Sequence, residues 1–397
     1  MRVLLQSESY WPNQDGGARF EHWLAHELLK HGHDVAIVAP GRRMRAYVEH
    51  DGGSLIFRTP SAHFPPLAAG YTISYRPSGL FCEAVDTFRP DVIHVNTMWF
   101  SANRLLSLAR DRGIPIVATN HLMPENVLLN IGKVAQTRLM KQFFWHRLAS
   151  FHNRFDAVTS PTPSATKLLL DSGLARPLYD ISNGVDIDYY RPLSAESVAG
   201  DARHLDRLHI PDDFVLYVGR VAKEKNLGML VRSFAVIAGK TAADLVIAGC
   251  GNASKEILAL TRLLGIGNRV HLTGHVSDDE KLALARRAKV FAITSQAELQ
   301  SVASLEALAC GLPLVAVNAA ALKELCRDGD NGYLVPVGDI GGFAGALLKV
   351  LEDDGRRKRF GSSSRRLVSE GHSLHETFRK FGKLYECALA GEFPAIL

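Results

Sequence analysis

The sequence predicts an α/β protein built from two doubly wound, parallel-sheet domains. Three observations carry that prediction: a chain of 397 residues, short apolar runs alternating with helix-patterned segments, and one Pro-, Asp- and Ser-rich interruption near the middle. At this length the chain exceeds one ordinary core and suits two domains of about 180 residues each.

The elements follow in order. Apolar runs at Val3–Leu5, Asp34–Ala39, Val92–Val95, Ile116–Ala118 and Ala157–Thr159 read as buried strands, with helical stretches such as Arg19–Lys30 and Asn103–Arg112 between them. Strands separated by helices build parallel sheets covered on both faces. The alternation pauses at Asp186–Asp213 and resumes with Val215–Val218, Leu245–Ile247, Val270–Leu272, Val290–Ile293 and Leu314–Val317. The expected division is residues 1–182, residues 183–372, and a closing helical segment at 373–397 that contains the amphipathic run His375–Leu389.

Composition bounds the partners. Hydrophobic residues make up 47% and no run of about 18 apolar residues occurs, so no bilayer span is expected. Met1–Gln6 reads as a first strand, not as a signal peptide. The five cysteines are scattered without metal or disulfide spacing, which fits a reducing cytoplasm. A net charge of +5 is too mild to suggest a nucleic-acid partner. Its distribution is uneven: Asn126–Phe155 holds no Asp or Glu, but has Lys133, Arg138, Lys141, Arg147 and Arg154 among Phe143, Phe144, Trp145 and Phe151. Two readings stay open, a helix lying on an anionic membrane surface and an amphipathic helix packed on its own sheet. Oligomeric state is not legible.

The most informative segment is Glu298–Pro313. Polar and small residues lead into an Ala/Leu/Glu helix that stops at Gly311-Leu312-Pro313. A helix beginning near Glu298, with Ser301 and Val302 in its first turn, would offer N–H groups and a positive dipole end to an anion. On a continuous helix Glu298 and Glu306 would stand roughly 12 Å apart along the axis. Paired glycosidase carboxylates lie about 5–9.5 Å apart, so this spacing suits the two ends of one elongated ligand. Arg220 and Lys225 follow the strand Val215–Val218 and form the best cationic pair for phosphate oxygens. Gly16 and Gly17 open a helix where a backbone can approach a phosphate closely, although the Gly-x-Gly-x-x-Gly of dinucleotide sites is missing. His121 sits at a strand end, with Asn120 and Glu125 as neighbouring candidates. His94, inside Val-Ile-His-Val, reads as structural. Gly249-Cys250-Gly251 is a weak phosphate signal and reads mostly as a strand-end turn bordering the ligand. Asp186-Ile187-Asp188 has metal-motif spacing but a turn context, and no metal or cofactor is expected.

At these residues the chain resembles the retaining glycosyltransferases of the two-Rossmann-domain (GT-B) type, family 4. Glu298-x7-Glu306 is followed by Ala307-x-x-x-Gly311-x-Pro313 as in that family. Gly219-Arg220 with Lys225-Asn226 resembles its donor-phosphate element, Asn183-Gly184-Val185-Asp186 its inter-domain turn, and Val270–Val276 its nucleobase-side strand and loop. Leu299-Gln300-Ser301 departs from the usual pattern after the first Glu, and Ser373-Leu374 replaces a common Ser/Thr-Trp. The resemblance implies two Rossmann-like domains facing across a cleft, with the last helix crossing back to the first. It implies a nucleotide-sugar donor whose diphosphate meets Arg220, Lys225 and the helix start at Ser301 and Val302. Glu306 would take the ribose, Glu298 the transferred sugar, Gly274 and Val276 the base side, and Gly16 and Gly17 a further donor loop. His121 would lie against the sugar, and Tyr10, Trp11, Asn120 and Glu125 on the acceptor side.

The expected activity is retaining hexosyl transfer, with UDP-glucose as first donor and GDP-mannose as second. Arg58–Pro66 and Gly70–Ser74 resemble a segment of the glycolipid-forming branch, which points to a membrane-lipid acceptor and peripheral attachment to the inner membrane face. The alternatives are a soluble glycan or small-molecule acceptor and a sugar-nucleotide epimerase of the same fold. A two-lobed solute-binding protein would leave the clustered phosphate ligands unexplained.

Overall fold

A computed structural model describes residues 1–11, 16–63, 72–74, 78–97, 100–131 and 137–397. The chain divides into two compact units, each with its own sheet. The first comprises Met1–Pro124, Thr137–Asn183 and His375–Leu397, and the second Glu125–Gln136 and Gly184–Leu374.

The strands in chain order are β1 (Arg2–Gln6), β2 (Asp34–Pro40), β3 (Tyr47–Asp51), β4 (Ser54–Thr59), β5 (Ser61–His63), β6 (Thr72–Ser74), β7 (Val92–Val95), β8 (Ile116–Thr119), β9 (Ala157–Ser160), β10 (Leu178–Asp180), β11 (Phe214–Val218), β12 (Asp244–Ala248), β13 (Val270–Gly274), β14 (Val290–Ile293), β15 (Leu314–Val317) and β16 (Gly332–Val335). The first sheet runs β10-β9-β8-β7-β1-β2-β4-β3, parallel except for the antiparallel β3 on its edge. The second runs β13-β12-β11-β14-β15-β16 and is parallel throughout. In β7, β8, β9, β14 and β15 every residue is buried. Covering a parallel sheet on both faces demands near-continuous apolar runs, which is why these strands are visible in the sequence.

Other elements are not legible as strands. In the β3–β4 hairpin the edge strand β3 is mostly polar and alternates half-buried with exposed residues, and the chain turns at Gly52 and Gly53, both at positive φ. β10, β16 and the small β5–β6 ribbon also emerge only here. The interruption at Asp186–Asp213 contains a helix, Val198–Arg207.

The core of the first unit joins Val3, Leu5, Phe20, Leu24 and Leu28 to Phe381, Leu384 and Tyr385 of the helix Leu374–Ala390. A buried polar line crosses the same sheet. Tyr385 Oη lies 2.7 Å from His94 Nδ1, His94 Nε2 lies 2.7 Å from Thr119 Oγ1, and Thr119 Oγ1 lies 2.6 Å from Thr159 Oγ1. Buried polar groups need partners, and His94 fills that structural place. Among the described residues no helix is long and apolar enough to cross a membrane.

Candidate functional site

In open α/β sheets ligands bind beyond the carboxyl ends of the strands, where the strand order reverses. In the second unit the chain builds outward from β11 to β12 and β13, then returns to place β14 on the other side of β11. The switch point therefore lies between β11 and β14. The loops leaving it are residues 219–226 and 294–301, which contain Arg220, Lys225, Glu298 and Ser301.

The two loops brace each other. Thr294 Oγ1 donates to the carbonyls of Lys225 and Asn226, both at 3.0 Å, and Ser295 Oγ donates to the carbonyl of Glu224. Asn226 adopts a left-handed conformation, φ 50°, at the start of the helix Leu227–Ile237. Lys225 Nζ thereby comes within 2.7 Å of Glu298 Oε1, both side chains being largely buried. Arg220 is half exposed and its Nη2 lies 2.9 Å from Glu224 Oε1, whose side chain is fully buried. Each cation expected to meet phosphate is thus held by a carboxylate at the strand ends.

The helix expected to begin near Glu298 begins instead at Val302 and runs to Ala309, with Ser301 as its N-cap. Ser301 Oγ accepts from the backbone N–H of Ser304 at 3.2 Å and from the Ser304 hydroxyl at 2.8 Å. Serine is a strong capping residue. Ahead of it, Ala297 and Leu299 turn into the core. Glu298 therefore stands on a loop, and the axial spacing of about 12 Å, which assumed one continuous helix, does not describe the pair. Glu306, in the middle of the helix, is buried and accepts from Lys281 Nζ at 2.6 Å.

On the far side of β11, Gly249 and Gly251 permit a close approach of two strand-end loops. A Cβ at Gly249 would lie 1.9 Å from the Gly219 carbonyl oxygen, and one at Gly251 would lie 2.2 Å from that of Val221. The missing side chains let the two loops pack backbone to backbone. Gly274 ends β13 with φ 73°, and Val276 is half-buried against the second core. Asp186 Oδ1 accepts from the N–H groups of Asp188 and Tyr189, so Asp186-Ile187-Asp188 forms a side-chain-stabilised turn.

In the first unit His121 follows β8 and stands with its ring centroid 4.9 Å from that of Phe20. Its Nε2 is buried and without a hydrogen-bond partner. Burial first, and the nearby His152 second, lower its pKa to about 4, so the ring is neutral at pH 7. Asn120 is buried, its Oδ1 accepting from the Leu122 N–H and its Nδ2 unpartnered. Tyr10 is buried while Trp11 is exposed and stacked on His22. Arg58 fastens this loop, donating to the carbonyls of Trp11 and Pro40 and to Glu49. Gly16 and Gly17 open the helix Gly16–Lys30, and Glu125 lies in the first turn of Pro124–Ile131. Residues 12–15, 64–71 and Lys133 lie outside the described residues.

Sequence reasoning missed Glu224 and Lys281. Lys281 sits in Asp278-Asp279-Glu280-Lys281, which reads as a solvated first turn, and only tertiary packing brings it to Glu306. Glu224 had one available signal, its i,i+4 spacing from Arg220.

Comparison with known proteins completes the assignment. Residues 15–189 match the profile described as Glycosyltransferase Family 4, and residues 207–367 match Glycosyl transferases group 1. The chain is 28% identical over 374 residues to a GDP-mannose-dependent alpha-mannosyltransferase of Mycolicibacterium smegmatis, covering 93% of this chain and 92% of the relative. It is 25% identical over 414 residues to a glycogen synthase of Mycobacterium tuberculosis, covering 99% and 96%. The structure of sucrose-phosphate synthase from Thermosynechococcus elongatus superposes with a TM-score of 0.80 at 19% identity, covering 98% of this chain and 100% of that one. The chain belongs to the GT-B fold glycosyltransferases of family 4 and group 1, and is a retaining hexosyltransferase acting on a nucleoside-diphosphate-sugar donor.

Proposed function

We propose that this enzyme transfers a hexose, with GDP-mannose as the first donor to test and UDP-glucose as the second, to a hydroxyl of a soluble glycan or small polar molecule. The observation that carries the donor half is the pairing of Arg220 and Lys225 with Glu224 and Glu298 at the β11–β14 switch point. A diphosphate entering there exchanges for carboxylate partners at two cations already in place. Preorganised cations matter most as charge develops on the leaving group. The relative that is a GDP-mannose-dependent alpha-mannosyltransferase supports the choice of donor, and the relative that is a glycogen synthase supports a soluble acceptor.

In this reading the acceptor oxygen bonds to C1 on the face from which the diphosphate departs, and the departing phosphate oxygen takes the acceptor proton. Glu306 receives ribose hydroxyls, Glu298 hydroxyls of the sugar, and Gly274 and Val276 border the base. Ser301 and Val302 present the helix start to phosphate, and Gly16 and Gly17 belong to a further donor loop. His121 is assigned to the sugar near C1. As a neutral imidazole it does not oppose the positive charge developing there. Tyr10, Trp11, Asn120 and Glu125 are assigned to the acceptor.

A lipid acceptor is the second reading, and one observation favours it. The helix Arg138–His152 buries Trp145, Leu148 and Ala149 but exposes Leu139, Met140 and Phe143 beside Arg138 and Arg147. Such a face suits an anionic lipid surface.

Incubating the enzyme with each donor and with matched soluble acceptors or diacylglycerol vesicles tests both readings. The expected product is a water-soluble α-configured glycoside. Product confined to the lipid phase, lost when Leu139 and Phe143 become Ser, would replace the first reading with the second. Donor binding undiminished in Glu306→Ala would remove the ribose assignment.

A further inference from the structure

The geometry points to Lys281 as a positioning residue that holds the Glu306 carboxylate for the donor's ribose, so that the site selects ribonucleotides over deoxyribonucleotides. This inference rests on the reading of Glu306 as the ribose ligand.

Lys281 belongs to the helix Asp278–Arg287, which starts two residues after Val276 on the loop leaving β13. That start is fixed by a capping box, with Ser277 Oγ accepting from the Glu280 N–H and Glu280 Oε2 accepting from the Ser277 N–H. The capping box fixes the residue at which the helix starts, and with it the face on which Lys281 stands. Lys281 points inward from it and is 8% exposed. Its Nζ lies 2.6 Å from Glu306 Oε1, 3.5 Å from Asp278 Oδ1, and 5.1 Å from the centroid of the buried Tyr190 ring. A lysine that gives up its water needs such compensation.

The consequence concerns aim. A Glu side chain has three rotatable bonds, and a hydroxyl is recognised well only when the acceptor oxygen is already in place. Binding one carboxylate oxygen to a buried cation anchors that oxygen and narrows the orientations open to the group. It also ties the acid to the helix that begins at the base-side loop, so base and ribose are located by one element. A neutral residue at 281 would leave Glu306 with a broader range of orientations, and the ribose hydroxyls would lose their directed acceptor.

The test uses UDP and GDP with their 2′-deoxy and 3′-deoxy forms, each titrated by calorimetry against the full-length wild type, Lys281→Met and Glu306→Gln. Charge-assisted hydrogen bonds predict that wild type prefers the better-binding ribonucleotide by on the order of 10- to 100-fold. Lys281→Met is expected to lower that preference to about threefold or less while affinity for the deoxy forms stays nearly constant, a pattern that a general loss of packing would not produce. If Lys281→Met melts below the assay temperature, Lys281→Gln is read by the same criterion. Retention of the wild-type preference in the Lys281 variant, with its loss in Glu306→Gln, overturns the role of Lys281 alone. Absence of any preference in wild type, or its survival in Glu306→Gln, overturns the ribose assignment beneath it.

Discussion

Replacing Lys225 by Met separates the stability role of its ion pair from its role toward the donor. Lys225 Nζ lies 2.7 Å from Glu298 Oε1, with side chains 13% and 12% exposed. Removing one partner of a fully buried pair costs about 3–5 kcal/mol. Water reaches these two groups in part, so roughly 1–3 kcal/mol of folding stability is expected to be lost. Toward the donor, a charge-assisted phosphate contact is worth about 1.5–3 kcal/mol net, or roughly 10- to 100-fold in affinity. The two effects part company in the double variant Lys225→Met/Glu298→Gln. There the stranded carboxylate is gone, so stability recovers, whereas diphosphate affinity does not. The assay is calorimetric titration with nucleoside di- and monophosphates beside urea unfolding of the same samples. A single variant that favoured diphosphate over monophosphate as strongly as wild type would refute the assignment of Lys225 to the donor phosphates.

Other expectations follow from the packing. Gly251→Ala places a Cβ about 2.2 Å from the Val221 carbonyl, and a melting temperature lowered by several degrees together with weakened diphosphate binding should result; an unchanged melt would show that the two loops can part freely. Tyr385→Phe leaves His94 Nδ1 buried without its partner at 2.7 Å, which should cost about 1–3 kcal/mol in urea unfolding. Burial lowers the pKa of His94 to about 3 and that of His152 to about 4. Below about pH 6.5 the unfolded chain binds protons that the folded chain refuses, so stability falls as pH drops from about 6.5 toward 4. The slope is up to about 1.4 kcal/mol per pH unit for each histidine, and unfolding curves at pH 7 and pH 5 that coincide would contradict it.

The central parallel strands were legible because each is buried and nearly continuously apolar, so a four-residue run such as Val92–Val95 announces itself even with His94 inside it. The edge strand β3 was not, since Tyr47-Val48-Glu49-His50-Asp51 is mostly polar and resembles loop composition. The candidate site was legible where unusual residues fall at strand ends, as with Arg220, Lys225 and His121. Partnership was not. That Lys225 meets Glu298 depends on the adjacency of β11 and β14, which are separated in the chain by two further strands. Lys281 was hidden for a related reason, since a helix first turn of four charged residues normally faces water. The start of the helix at Val302 was misjudged because Glu298 has good helix propensity, while Ser301 is a better cap than interior residue and Leu299 is drawn into the core.

The grouping of His375–Leu397 with the first unit sets an order on biosynthesis. Phe381, Leu384 and Tyr385 fill the first unit's interior, yet the ribosome makes them after all of Gly184–Leu374. The earlier-made sheet must therefore wait, with an apolar cavity open, while the later-made unit gathers its own core. A nascent chain arrested at Leu374 should show a protease-resistant second unit beside a protease-sensitive first one, which would make the intervening time the period when a chaperone matters most to this protein.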